Sequence, residues 1–152
     1  MRISLVEAAR VMGGPFDGLD RAVRMTGAVV DSRLIRPGDA FFALKGDYLD
    51  GHDFAAEALR KGASAVVVGR TVGTDPARTI LLSDPMAGRV SLAGWVRDVL
   101  NPIVVGVTGS TGKTSVKDLL ASIVRGQMPV IASEKSFNNE LGVPLPLLKS
   151  RA

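Results

Sequence analysis

The chain has 152 residues, no cysteine and a formal net charge of +4, and 46% of its residues are hydrophobic. The absence of cysteine excludes a disulfide framework and thiolate chemistry, and the length fits one domain or two small ones. Because the basic residues are scattered without interleaved aromatic residues, anionic small molecules are better candidate ligands than nucleic acid. No apolar run is long enough to span a membrane and no leader pattern begins the chain, so we expect a cytoplasmic protein without membrane insertion.

The first 83 residues predict a small α/β unit. Ser4 and Glu7 form a capping-box pattern at the start of a short helix that ends at Gly13-Gly14. The segment 55–61 has the pattern of an amphipathic helix closed by a glycine. Apolar runs predict strands at 27–31, 40–44, 65–68 and 79–82.

Two polar segments follow the first two predicted strands. Their candidate ligand-contacting residues are Asp31, Ser32, Arg33, Lys45, Gly46 and His52. Because these strands are expected to lie side by side, the segments after them should face the same pocket. The alternative interpretation is structural: a hydrogen-bonded turn with a solvated arginine at 31–33, and a capping or core histidine at position 52. Spacing alone favours this alternative.

A long helix is predicted next. Asp84-Pro85 has the pattern of an N-cap followed by proline in the first turn, and the helix should extend to about residue 100, where Asn101-Pro102 ends it. We place the domain boundary before this helix. The chain is therefore expected to divide into a unit at 1–83 and a second unit at 84–152.

The second unit contains a candidate phosphate-binding loop. The run 103–107 predicts a buried parallel strand, and the segment 115–124 predicts a helix. Glycines between them allow several backbone N–H groups to face one anion, which the helix N-terminus also favours. Lys113 would contact the β- and γ-phosphates and Thr114 would bind Mg²⁺. The alternative is a glycine-rich turn with an exposed lysine, since the general motif has glycine where this chain has Val107.

The last segment extends this unit. A strand is predicted at 129–132, which would complete a strand–helix–strand unit with a parallel sheet. Asn138 and Asn139 precede an expected helix, where they could cap it or contact a nucleotide at the sheet edge. One such unit gives a parallel sheet too little cover, so we expect the chain to be a fragment of a longer protein.

Several motifs in order resemble the Mur ligase family. The second unit contributes the loop Thr108-Gly109-Ser110-Thr111-Gly112-Lys113-Thr114-Ser115 and the segment 137–144. Within the family, these are most similar to the members that join D-Ala-D-Ala to UDP-MurNAc-tripeptide. The first unit contributes Asp31-Ser32-Arg33, Arg36-Pro37-Gly38-Asp39, Phe42-Ala43-Leu44-Lys45-Gly46 and Asp50-Gly51-His52-Asp53-Phe54.

The resemblance implies an α/β fold, with a small substrate-binding domain before the start of a P-loop parallel-sheet ATPase domain. It implies peptidoglycan precursor synthesis, in which ATP with Mg²⁺ phosphorylates the tripeptide carboxylate and the amine of D-Ala-D-Ala attacks the acyl phosphate. Lys113 and Thr114 would be catalytic, Arg33 and Lys45 would suit the diphosphate, and His52 would suit the uridine or sugar. The implied nucleotide contacts are Gly109, Ser110, Thr111, Gly112, Lys113, Thr114, Ser115, Asn138 and Asn139.

The resemblance also implies limits and leaves alternatives. The family has three domains, so a fragment of this length is expected to lack ligase activity and to self-associate through residues after about 103, whereas the parent protein should be a monomer. One alternative is a non-catalytic module that binds a UDP-sugar or nucleotide. Others are the Mur ligase that adds the third residue and an unrelated P-loop kinase or GTPase. For the last, the sequence has no guanine-specificity motif or acidic second metal ligand.

Overall fold

The computed structural model describes residues 2–133 and residue 148. Its strands are β1 Ile3–Ser4, β2 Arg24–Met25, β3 Gly27–Val29, β4 Asp39–Phe42, β5 Ala65–Val68 and β6 Thr79–Leu81. Its α-helices are α1 Leu5–Val11, α2 Ala55–Arg60, α3 Pro85–Leu100 and α4 Lys113–Arg125. Three short 3₁₀ helices cover Ser32–Leu34, Gly51–Phe54 and Pro76–Arg78. No helix in these ranges is long and apolar enough to cross a membrane.

A four-stranded parallel sheet forms the centre of the first part of the chain. Its strand order is β3-β4-β5-β6, and the register pairs Val29 with Phe41 and Phe42 with Val67. The strands are short and rich in alanine, valine and phenylalanine, as is typical of a parallel sheet buried on both faces. The four strands predicted from 27–31, 40–44, 65–68 and 79–82 are therefore confirmed, with ends shifted by one or two residues.

Alternate side chains along the strands enter two different cores. Phe42 and Val67 lie in one cluster with apolar residues of α1 and α3, whereas Phe41 and Val66 lie in the other with alanines of α2. This alternation follows from the two-residue period of a strand. The result is a three-layer α/β arrangement, which confirms the predicted fold class.

The turn before β4 also follows the prediction. The Asp39 N–H donates to the Arg36 carbonyl oxygen at 3.0 Å, and Gly38 has φ +90°, a left-handed value that glycine adopts without strain. The Asp39 carboxylate accepts the Arg36 N–H at 3.0 Å and closes the turn from the other side. This turn sets where β4 starts beside β3.

Helix α3 has the predicted bounds and packs into the first core. Asp84 accepts hydrogen bonds from the N–H groups of Met86 and Ala87 at 2.8 and 3.0 Å, and Asn101 ends the helix with φ +43°. Leu92 and Val96 are buried among residues of α1 and the sheet. The sheet unit and α3 therefore share one hydrophobic core.

Two strands predicted beyond α3 are wrong. Residues 103–107 have no strand structure, and the side chains of Ile103, Val104 and Val105 are 83%, 70% and 69% exposed. Residues 129–132 are also outside any strand. An apolar run predicts burial, but a strand forms only when a neighbouring strand completes its hydrogen bonds. The described residues provide no strand that pairs with either run.

Leu92→Ala in α3 should lower the free energy of unfolding of the 152-residue chain by about 2–5 kcal/mol, because it truncates a fully buried side chain. Leu119→Ala in α4 is the matched control, since it removes the same atoms from a side chain that is 63% exposed. That change should stay within about 0.5 kcal/mol. Urea unfolding measures the free energy of unfolding of both variants. Equal losses in the two would contradict the conclusion that α3 packs in this core and α4 does not.

Candidate functional site

The carboxyl edge of the parallel sheet is the first candidate site. Because β3 and β4 are parallel neighbours, the segments that follow them leave the sheet at the same edge. This confirms the side-by-side arrangement of strands expected from the sequence. Six predicted site residues lie in those two segments: Asp31, Ser32, Arg33, Lys45, Gly46 and His52.

The segment after β3 is a hydrogen-bonded turn. Asp31 accepts the backbone N–H of Arg33 at 3.0 Å and forms an ion pair with its guanidinium at 2.7 Å. The Arg33 side chain is nevertheless 84% exposed. The side-chain hydrogen bond from Arg33, followed by its backbone N–H, lowers the pKa of Asp31 to about 2. In this structure Arg33 can approach an anion at the surface only in competition with Asp31.

The segment after β4 folds into a tight turn, the 45–50 turn. The Gly46 N–H donates to the Leu49 carbonyl oxygen at 2.9 Å, and Lys45 and Asp50 form an antiparallel bridge. Tyr48 is fully exposed at its tip. The turn therefore presents Lys45 next to the sheet edge, and the bridge to Asp50 holds its backbone.

His52 is held by two protein partners. Its Nδ1 lies 2.5 Å from the Asp50 carboxylate, and its Nε2 accepts the Gly69 backbone N–H at 2.8 Å. The side chain is only 9% exposed. A backbone N–H can only donate, so Nε2 must be the acceptor and Nδ1 must carry the proton. A contact from His52 to uridine or a sugar would require one of these two bonds to break.

Arg70 is a site-edge residue that sequence reasoning missed. It follows β5 and Gly69, and its guanidinium contacts the carboxylates of Asp50 at 3.3 Å and Asp53 at 3.2 Å. The pKa of Asp50 is lowered to about 2, first by the backbone N–H of His52, then by the His52 ring and Arg70. The available signal was position: Arg70 follows a buried strand, as Arg33 and Lys45 do.

Lys45 differs from the other basic side chains at this edge. Arg33 is paired with Asp31, and Arg70 with Asp50 and Asp53. Within the part of the chain that the structure describes, the Lys45 ammonium has no hydrogen bond or ion pair. A lysine at a sheet edge without a protein counter-ion is suited to binding an anionic ligand.

The loop before α4 is the second candidate site. Gly109 and Gly112 have φ +151° and +77°, and Gly112 is the N-cap of α4 without a side-chain cap. The Lys113 ammonium donates to the Gly109 carbonyl oxygen, so the side chain folds back across the loop. The helix that follows begins at Lys113 rather than Ser115. Its first N–H groups and positive dipole end suit a phosphate.

The remaining predicted residues of this loop are Ser110, Thr111 and Ser115, which are exposed. Asn138 and Asn139 lie outside the described residues. In the described ranges, no group of three or more His, Cys, Asp or Glu residues could hold a metal ion. Thr114 in the first turn of α4 fits as one hydroxyl ligand of Mg²⁺, but these residues do not form a full ligand set.

Asp50→Asn should flatten the acid dependence of stability. Because folding lowers the pKa of Asp50 from about 4 to about 2, its charge stabilises the fold above pH 4, and this contribution is lost as the pH falls toward 2. The variant should therefore melt below the parent chain at pH 7, and the two melting temperatures should converge between pH 4 and 2. Thermal unfolding across this range tests this, and a constant difference would contradict it.

Comparison with known proteins connects the two sites. A family model described as "Mur ligase family, catalytic domain" matches residues 24–83, and one described as "Mur ligase middle domain" matches residues 107–152. Both candidate sites lie within these matches, and residues 84–106 lie between the two.

Two curated relatives with the same name match nearly the whole chain. The UDP-N-acetylmuramoyl-tripeptide–D-alanyl-D-alanine ligase of Escherichia coli K12 is 35% identical over 97% of this chain, and that of Mycobacterium tuberculosis H37Rv is 36% identical over 99%. The alignments cover 32% and 34% of those proteins. The chain therefore spans about a third of the length of the curated relatives it matches.

Solved structures give the same result. A MurF structure from Acinetobacter baumannii superposes with a TM-score of 0.85 at 28% identity, over 99% of this chain and 33% of that one. MurF from Thermotoga maritima, solved in complex with ADP, gives 0.70 at 38% identity, over 82% of this chain and 29% of that one. The two family matches, the curated relatives and the shared fold together show that the chain belongs to the Mur ligase family.

Proposed function

We propose that this chain carries the UDP-substrate site and the ATP loop of a ligase that joins D-Ala-D-Ala to UDP-MurNAc-tripeptide. The observation that carries the proposal is the Lys45 ammonium at the carboxyl edge of the parallel sheet, which has no hydrogen bond or ion pair with any described residue. The relatives that bear this name match nearly the whole chain, which supports the same substrates here. The product would be the pentapeptide precursor used in peptidoglycan synthesis.

The first unit, residues 1–83, would bind the UDP end of the substrate. Lys45 would contact the diphosphate directly, because its charge has no protein partner in the described residues. Arg33 would join it by exchanging its exposed ion pair with Asp31 for one with phosphate. Ser32 is next to Arg33 in the chain and would supply a hydroxyl donor, whereas the Gly46 N–H would exchange its bond to the Leu49 carbonyl oxygen for one to phosphate.

The second unit, residues 84–152, would begin the ATP-binding domain, with α3 packed on the core of the first unit. The N–H groups of 109–115 would surround the phosphates, and Lys113 would release the Gly109 carbonyl and donate to the transferring phosphoryl group. The Thr114 hydroxyl would be one ligand of a Mg²⁺ ion bound there, which would supply positive charge next to the phosphates. Asn138 and Asn139 stay predicted nucleotide contacts.

These residues would act on charge rather than through covalent chemistry. Phosphorylation of the tripeptide carboxylate brings two anions together, and Lys113 would stabilise the charge that develops between them. The amine of D-Ala-D-Ala would then attack the acyl phosphate, forming the amide and releasing phosphate. Both bond changes need water to be excluded.

A second candidate function is a binding module without turnover. It is favoured by the finding that the described residues contain no group of three or more His, Cys, Asp or Glu residues that could hold a metal ion, and by the exposure of the loop before α4. In this hypothesis the 152-residue chain binds the UDP-substrate but does not catalyse ligation. The two candidates share the first site and differ in the second.

Lys45→Ala should weaken the binding of UDP-MurNAc-tripeptide by about tenfold or more, because a hydrogen bond to a charged group contributes roughly 1.5–3 kcal/mol. Arg60→Ala is the control, since it also removes one positive charge but lies at the end of α2 that leads to the opposite edge of the sheet. The affinity of Arg60→Ala for UDP-MurNAc-tripeptide should stay within about twofold of that of the parent chain. Isothermal titration calorimetry measures both, and unchanged binding by Lys45→Ala would contradict the assignment of Lys45 to the diphosphate.

The 152-residue chain itself should not ligate. Incubated with ATP, Mg²⁺, UDP-MurNAc-tripeptide and D-Ala-D-Ala, it should release no phosphate above the level without D-Ala-D-Ala, because the described residues contain no cluster of carboxylate or histidine ligands that could hold the metal together with Thr114. A phosphate-release assay tests this, with a Mur ligase from one of the relatives as the positive control. Release that depends on D-Ala-D-Ala would show that the chain is catalytic as it stands.

A further inference from the structure

His52 connects three segments at the carboxyl edge of the sheet. Its Nδ1 contacts Asp50, which ends the 45–50 turn, and its Nε2 accepts the N–H of Gly69, which follows β5. His52 itself belongs to the 3₁₀ helix Gly51–Phe54, which leads into α2. A ring that is only 9% exposed and has both nitrogens bonded to protein is a cross-link between these segments rather than a free ligand group.

The cross-link extends to Lys45 through Asp50. Asp50 lies opposite Lys45 in the antiparallel bridge, and the next N–H, that of Gly51, donates to the Leu44 carbonyl oxygen at 2.9 Å. The position of Asp50 therefore constrains the backbone from which the Lys45 side chain extends. The path from Gly69 through His52 and Asp50 to Lys45 consists of contacts of 2.5–2.8 Å and one backbone bridge.

The same contacts require one tautomer of the ring. The Gly69 N–H cannot accept a hydrogen bond, so Nε2 must be unprotonated, and the proton on Nδ1 then donates to the Asp50 carboxylate. A Cβ at Gly69 would lie 3.4 Å from both Nε2 and the Pro85 ring, an ordinary van der Waals distance, so the two hydrogen bonds rather than steric contact orient the ring. The geometry therefore fixes the ring orientation as well as its protonation.

We propose that His52 is a positioning residue, which holds the 45–50 turn so that Lys45 faces the diphosphate, and that it does not itself contact the substrate. This inference rests on the proposed function, because Lys45 is the group that His52 positions. It replaces the direct contact between His52 and uridine or sugar that the family resemblance implied, and agrees with the structural interpretation that spacing alone favoured. The difference between the two roles is measurable, since a positioning residue acts only through Lys45.

The first test is the tautomer. His52 is the one histidine of the chain, so the ring-nitrogen spectrum of ¹⁵N-histidine-labelled protein has a single assignment. We expect a protonated Nδ1 and an unprotonated Nε2, both before and after addition of UDP-MurNAc-tripeptide. A ring protonated at Nε2, or a ring that changes tautomer when the substrate binds, would overturn the proposal.

The second test is a double-mutant cycle read by calorimetry with UDP-MurNAc-tripeptide. His52→Ala alone should weaken binding by roughly tenfold, but should add little to Lys45→Ala, because residues that act through one another are not additive. His52→Gln keeps an acceptor near the Nε2 position and should recover part of the affinity. It also provides a second variant if His52→Ala does not fold.

Asp75→Ala is the matched control for a general loss of stability. Asp75 caps a 3₁₀ helix by accepting the N–H two residues ahead at 3.0 Å, as Asp50 does at 2.9 Å, but it precedes β6 and so lies at the other edge of the sheet. The affinity of Asp75→Ala for UDP-MurNAc-tripeptide should match that of the parent chain. If Lys45→Ala weakens binding and the effects of His52→Ala and Lys45→Ala are additive, the positioning role is wrong. If Lys45→Ala has no effect, or the parent chain does not bind, the proposed function fails and the positioning role fails with it.

Discussion

The parallel pairing of β3, β4, β5 and β6 is the constraint on which the first site depends. Parallel strands end at one edge, so each segment that follows a strand begins beside the segment that follows its neighbour. This pairing alone places Arg33, Lys45 and Arg70 near one edge, although 12 and 25 positions separate them along the chain. The buried apolar faces above and below the sheet hold that edge in place.

Electrostatics then distinguish the side chains at this edge. Asp31 and Asp50 accept backbone N–H groups and pair with basic side chains, and both have a pKa lowered to about 2. These carboxylates neutralise Arg33 and Arg70 in the unbound chain, whereas Lys45 keeps its charge uncompensated within the described residues. The edge is thus built from rigid, internally satisfied turns around one available cation. Such preorganisation reduces the entropy lost when an anion binds.

Much of this could be predicted from the sequence, because the signals were local. The cap at Asp84, the turn at Gly38 and the strands predicted from apolar runs in the first unit each depend on nearby residues, and the structure confirms them. The strand at 103–107 was predicted wrongly, since its formation depends on a distant pairing partner that an apolar pattern does not specify. The two-sided bonding of His52 was also beyond prediction, because Gly69 is seventeen residues away. Asn138 and Asn139 lie outside the described residues and stay predictions.

The most direct test of the account is to map where the UDP-substrate binds. Backbone amide spectra of the ¹⁵N-labelled 152-residue chain should be recorded with and without UDP-MurNAc-tripeptide. The account predicts that the largest shifts occur at 31–33 and 45–52, at the carboxyl edge of the sheet. Shifts confined to the opposite edge, at 36–39, 62–64 and 76–79, would contradict it.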